Sequence, residues 1–209
     1  MKEEQSVQGA FEAALSAIAD GTDEEAMDHV KALNEAALQV HDRMVQYVNL
    51  LLAFIAQEMG EEKIQDAWRY IIERIHKKGV VALKGKSHRE VVKVFQGEHL
   101  AHGSTLSLSE GKDRSTFLIH SCGSGGRLRR DGLEGEEGKF KKPYSWCFGR
   151  KGISYYCSHC AIVTEDSPHW DADFTIEVEY GRQFDQEGKP VEEPCLFKIV
   201  RKQKDREGA

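Results

Sequence analysis

The chemistry legible in this chain is concentrated in residues 120 to 160. His120 and Cys122 stand two apart in the run Ile119-His120-Ser121-Cys122, and after 34 intervening residues Cys157 and Cys160 form a C-x-x-C pair. The first run reads as the end of a strand, where residues i and i+2 point to one face, so His120 and Cys122 are expected to converge. Thiolate and imidazole suit zinc, and two half-sites closed by a hairpin assemble a tetrahedral site. The expected ligands are Cys122, Cys157, Cys160 and His120, with His159 and Cys195 as alternative fourth donors and iron as the alternative metal. Four protein ligands make a closed structural site, whereas three leave a position for water or substrate.

Directly after Cys122 comes Gly123-Ser-Gly-Gly-Arg-Leu-Arg-Arg130. Glycines allow close backbone approach, so Gly125, Gly126 and Arg127 are expected to hold a small anionic substrate or ligand beside the metal. A glycine-rich surface turn accounts for the same letters. The run is no phosphate-binding P-loop, because that motif's Lys and Ser/Thr are missing. His159, inside the C-x-x-C, is the candidate acid or base. Cys147, among Tyr144, Trp146 and Phe148, reads as packing, and His99 and His102 are candidates for the same cleft. A zinc deaminase fits poorly, since its signature places Glu two residues after His, where this chain has Cys122. A dithiol redox site on Cys157 and Cys160 ranks last, because Ala161-Ile-Val-Thr-Glu165 reads as extended and such sites open a helix.

The run Cys122-Gly-Ser-Gly-Gly-Arg127, then Tyr155-Tyr-Cys-Ser-His-Cys160, then Pro194-Cys195 resembles a group of bacterial proteins with a helical N-terminal region and a Cys-rich C-terminal half. The likeness covers residues 90 to 200 at the level of motifs. The chain is more faintly similar to enzymes of the L-2-amino-thiazoline-4-carboxylate hydrolase type, which open a small heterocycle with water. That resemblance implies hydrolytic C–N or C–S cleavage on a small carboxylated molecule.

Two kinds of pattern must position these residues. Residues 10 to 20 form a short helix stopped by Gly21, and Thr22 with Glu25 has capping-box spacing for a second. From Met27 to Ile55 apolar residues recur every three or four positions, and a continuous helix over 23–59 would run roughly 55 Å. Leu38, Val45, Leu52 and Met59 add a second apolar row, so this helix either packs within its own chain or forms a homodimer. Ile64 to Ile75 make a third helix, with Lys77, Lys78 and Gly79 marking its end. After Gly79 short apolar runs read as strands: Val91–Phe95, Thr105–Leu108, Thr116–Ile119, Ile153–Tyr156, Phe174–Tyr180 and Leu196–Val200. Helices first and strands afterwards give an α+β fold. Residues 1–80 are the helical region and 81–209 the Cys-rich, mostly antiparallel β region with the metal site.

Composition narrows the function. The chain has 209 residues, enough for a substantial core, and its 29 Lys and Arg against 35 Asp and Glu leave a net charge of −6. That balance speaks against nucleic acid or an anionic membrane as partner. No apolar stretch is long enough to span a bilayer, and the first residues lack a signal peptide's hydrophobic segment. Five cysteines, an odd number, suit the reducing cytoplasm better than a disulfide framework. The expectation is a metal-dependent, zinc-containing hydrolase or lyase acting on a small anionic molecule. The alternative is a ligand- or partner-binding module with structural zinc.

Overall fold

A computed structural model describes residues 7–184, 190–192 and 194–203. The chain divides into two compact units, Met1–Met44 and Val45–Ala209.

The first unit is a helical turn. Helix α1 (Val7–Ala19) ends at Gly21, whose φ of 71° is the left-handed conformation open to glycine, and α2 (Asp23–Met59) follows. Thr22 donates its hydroxyl back to the Ala17 carbonyl at 3.0 Å, tying the turn to the helix before it. The acids Asp23, Glu24 and Glu25 sit in the first turn of α2, where they favour the positive end of the helix dipole. As the spacing predicts, α2 is one helix of 37 residues. It stops at Gly60, with φ at 100°.

The second unit is α+β. It holds the last part of α2, then α3 (Lys63–Arg74), α4 (His76–Val81), α5 (His88–Ala101), β1 (Thr105–Ser109), β2 (Arg114–Ser121), α6 (Gly125–Arg130), α7 (Ser158–Asp166), β3 (Phe174–Glu179), β4 (Arg182–Phe184), β5 (Pro190–Glu192) and β6 (Cys195–Arg201). Strands pair antiparallel in the order β1-β2-β6-β3, and β4 and β5 form a separate hairpin. Phe117 and Ile119 of β2, Phe174 and Ile176 of β3 and Ile199 of β6 are buried. They share one core with Ile64, Trp68 and Ile72 of α3, Val91, Val92 and Phe95 of α5, and Ile162 of α7. The helices thus cover one face of the sheet, which hides period-two apolar positions against period-3.6 ones. Residues 45–80 therefore belong to the same core as the sheet, and the compact division falls inside α2, not near residue 80.

Three local expectations change. Val91–Phe95 is helical, because Ser87 and Glu90 form a reciprocal capping box that starts α5 and puts Val91, Val92 and Phe95 on its buried side. Ile153–Tyr156 is not a strand; Ser154 makes one isolated bridge with Lys139. Ala161–Glu165 lies within α7, its β-branched residues held by burial against the core instead of by propensity. Among the described residues no helix is long and apolar enough to cross a membrane.

Candidate functional site

Four cysteines on three pieces of chain are near enough to influence one another electrostatically. Cys122 follows the end of β2, Cys157 caps α7 with Cys160 in its first turn, and Cys195 opens β6. The β2–β6 register pairs Ile119 with Cys195, so Cys195 shares the inward face of the sheet with Ile119, Phe197 and Ile199. Helix α6 lies directly on the sulfurs. A Cβ built on Gly125 would come within 2.4 Å of Cys157 Sγ, and one on Gly126 within 2.7 Å of Cys122 Cβ.

The C-x-x-C turn is fastened from beneath by buried polar groups. Asn49 of α2 is fully buried, accepts the Tyr156 N–H and the Ser154 hydroxyl at 3.0 Å each, and donates to the Glu134 carbonyl at 3.0 Å. Trp68 donates its indole N–H to the Tyr155 carbonyl at 3.0 Å, and Ser158 donates to the same oxygen at 2.7 Å. Such partners are what buried amides need in order to avoid an uncompensated loss of water.

The electrostatics report the crowding of sulfur. Burial pushes the Cys157 thiol up to about 12; Arg129 opposes this, and Cys122 and Cys195 add to it. Burial also raises Cys160 well above its ordinary value, reinforced by Cys157, Cys122 and Cys195. Cys160 thus feels the other three members of the set, and Cys157 feels Cys122 and Cys195. Two of the sulfurs also accept N–H groups. Arg129 Nη1 lies 3.3 Å from Cys157 Sγ, and the Gly181 N–H lies 3.3 Å from Cys195 Sγ. All five cysteines are thiols. Among the described residues no group of three or more His, Cys, Asp or Glu side chains is set at metal-binding spacing.

His159 adjoins this cluster. Its Nδ1 is 2.6 Å from the Tyr156 carbonyl, which can only accept, so Nδ1 carries the proton and Nε2 turns a lone pair toward Cys160 Sγ at 3.4 Å. Burial lowers its pKa to about 4, with His76 and His102 adding to the effect against the carbonyl bond, so the ring is neutral near pH 7. The Tyr156 phenol is raised by burial and by Cys160, Cys157 and Cys122, and it hydrogen-bonds to Ser124. The Ser124 hydroxyl in turn lies 2.9 Å from His102 Nδ1.

Other residues named from the sequence stand elsewhere. His120 lies on the outer face of the sheet. It is exposed, and its Nε2 is 2.7 Å from the Ser107 hydroxyl of the neighbouring strand. Alternation along β2 turns Ile119 inward and His120 outward, and the strand ends at Ser121 before parity could carry Cys122 to the same face. Arg127 is half-buried, and its Nη2 donates to the His102 and Gly103 carbonyls at 3.2 and 3.3 Å. Gly125 and Gly126 are buried, and the space before them is taken by Cys157 and Cys122. His99 packs against Phe117 and Phe197. Cys147 is fully buried. The roles of Asn49, Ser124 and the Tyr156 hydroxyl escape sequence reasoning, because each depends on a partner at least 22 residues away.

No family model, curated protein or solved structure matches this chain.

Proposed function

We propose that Cys122, Cys157, Cys160 and Cys195 bind one Zn2+ as a structural site, in a module that recognises a ligand or partner without transforming it. The observation that carries this reading is that Cys122, Cys157, Cys160 and Cys195 are near enough to act on one another's thiols electrostatically, two of them already accepting N–H groups. Buried thiolates are costly without a compensating charge, and a dication supplies it. N–H donors to the sulfurs are the outer contacts that orient metal thiolates. Ligation needs the cysteine side chains to turn from their present positions to a common centre. Four sulfurs fill the tetrahedral shell and leave no open position. The close seating of Gly125 and Gly126 on Cys157 and Cys122 agrees with a closed site. Zinc is the proposed metal, and iron the alternative that sulfur ligation also accepts.

The test is metal stoichiometry by native mass spectrometry. The wild type should carry one zinc, Cys195→Ser should lose it, and His120→Ala should keep it. Retention in Cys195→Ser with loss in His120→Ala would refute the ligand set.

A second reading, a hydrolase or lyase that opens a small anionic heterocycle, is favoured by one arrangement. His159 holds a neutral Nε2 beside Cys160 and is flanked by Tyr156. A metal there would supply Lewis acidity, while His159 would accept a proton at Nε2 and Arg127 would meet the anion. An exchangeable oxygen ligand on the metal separates this reading from the first.

The proposed partner is a small anionic ligand or a protein, with a second copy of the chain met through α2. In support of the latter, α2 exposes Tyr47, Leu51 and Phe54 in the second unit, and Val40 and Met44 in the first. Sedimentation at micromolar concentration tests that dimer. Five thiols fit a reducing compartment such as the cytoplasm.

A further inference from the structure

The geometry points to Cys157 and Cys160 as a redox-active pair that closes to a disulfide under oxidation, opening the four-sulfur set. Release of zinc rests on the function proposed above; formation of the disulfide does not.

The two cysteines are joined by a single turn, with the Cys160 N–H donating to the Cys157 carbonyl at 3.2 Å. Residues three apart on such a turn have Cβ atoms about 5–6 Å apart, against about 3.5–4.5 Å in a disulfide, so the bridge closes with a local tightening of this one turn. The pair opens a helix of nine residues, since Cys157 is the cap of α7. A C-x-x-C pair at the start of a helix is the arrangement of thiol–disulfide sites, and the extended reading of Ala161–Glu165 had argued against it. A second, independent contact addresses the same sulfur: Arg129 places a guanidinium N–H 3.3 Å from Cys157 Sγ. Access differs within the pair, for Cys160 is partly exposed whereas Cys157 is buried. Cys122 and Cys195 lie on other elements, so closing the 157–160 bridge requires no strand to move.

With hydrogen peroxide as oxidant the chemistry balances. The sulfur of the more accessible Cys160 attacks one peroxide oxygen, the O–O bond breaks, and the thiol proton leaves with the departing oxygen as water, giving a sulfenic acid. The Cys157 sulfur attacks that sulfur, the S–O bond breaks, and the second thiol proton leaves with the hydroxyl as water. Two thiols are oxidised by two electrons, peroxide is reduced to two waters, and one S–S bond has formed. A metal that held both sulfurs then keeps only Cys122 and Cys195.

The experiment uses the full chain, purified without oxygen and loaded with zinc, then titrated with hydrogen peroxide. A chromogenic chelator counts released zinc, and peptide mass spectrometry locates disulfides. The expected result is one zinc released per Cys157–Cys160 disulfide, with both changes reversed by a thiol reductant. A bridge to any other cysteine, sulfinic acid without a bridge, or a 157–160 bridge with zinc retained would overturn the inference. A chain that takes up no zinc refutes the metal reading alone, and the mapped disulfide then decides this one. Cys160→Ser should abolish both changes, and Cys147→Ala should leave both intact, which guards against misfolding as the cause.

Discussion

Gly125 and Cys157 are fitted to one another across the packing of α6 on α7: a Cβ on the glycine would stand 2.4 Å from the sulfur. No real contact is that short, so Gly125→Ala must push either α6 or the thiol away. The expected cost is about 1–3 kcal/mol, the range of an overpacked core, together with weaker zinc retention against a chelator. Gly97, inside α5 with nothing within 4 Å of its Cβ position, is the contrast. Gly97→Ala should stabilise by about 0.5–1 kcal/mol through helix propensity and leave metal binding unchanged. Urea denaturation of both variants checks the pair.

Asn49 joins α2 to the turn before Cys157 through three hydrogen bonds, none of which an apolar side chain could make. Asn49→Ala leaves the Tyr156 N–H and the Glu134 carbonyl without that partner in a buried setting. A loss of roughly 3 kcal/mol is expected, since each unsatisfied buried group costs about 1–3 kcal/mol. Because Tyr156 adjoins Cys157, zinc affinity should fall as well. Denaturation midpoints and chelator competition measure the two effects separately.

Acid should weaken the fold through His99. Burial, with His102 adding to it, holds this ring's pKa at about 4, and its Nε2 has no hydrogen-bond partner among the described residues. The unfolded chain takes up the proton near the ordinary value of 6.5, so between those values the unfolded state binds more protons. Stability from this group is full above about pH 6.5 and is lost as pH falls toward 4, by up to about 3 kcal/mol. His99→Phe, a swap that keeps an aromatic ring against Phe117 and Phe197, should flatten that part of the stability-against-pH curve. An unchanged slope would assign the acid sensitivity to other groups.

Cys147 should separate packing from ligation. It is fully buried in the shared core, and burial raises its thiol far above the ordinary range. Cys147→Ser puts a hydroxyl there in place of a weakly polar sulfur, with an expected cost of about 1–3 kcal/mol. Zinc stoichiometry should stay at the wild-type value. Thermal melts and native mass spectra of the same sample give both readings.

The strongest local patterns were legible. Phe174, Ile176 and the residues between them alternate, and β3 forms there with Phe174 and Ile176 buried. Gly21 and Gly60 mark the ends of α1 and α2 as glycines with positive φ. The Val91–Phe95 run misled because an apolar cluster of β-branched residues fits either a strand or a buried helix face. The deciding signal was Ser87 with Glu90 just upstream, a capping box readable in the sequence. At the site, C-x-x-C spacing singled out Cys157 and Cys160, but parity failed for His120 because the strand ends at Ser121. Choosing between His120 and Cys195 requires the β2–β6 register, a long-range fact that no local pattern encodes.

Zinc-edge X-ray absorption on the anaerobically purified, metal-loaded chain tests the central claim most directly. Four sulfur neighbours at about 2.3 Å with no nitrogen or oxygen in the first shell is the predicted result. Three sulfurs with an exchangeable oxygen would contradict the closed site and favour the hydrolase or lyase. Failure to take up metal would contradict the zinc reading altogether.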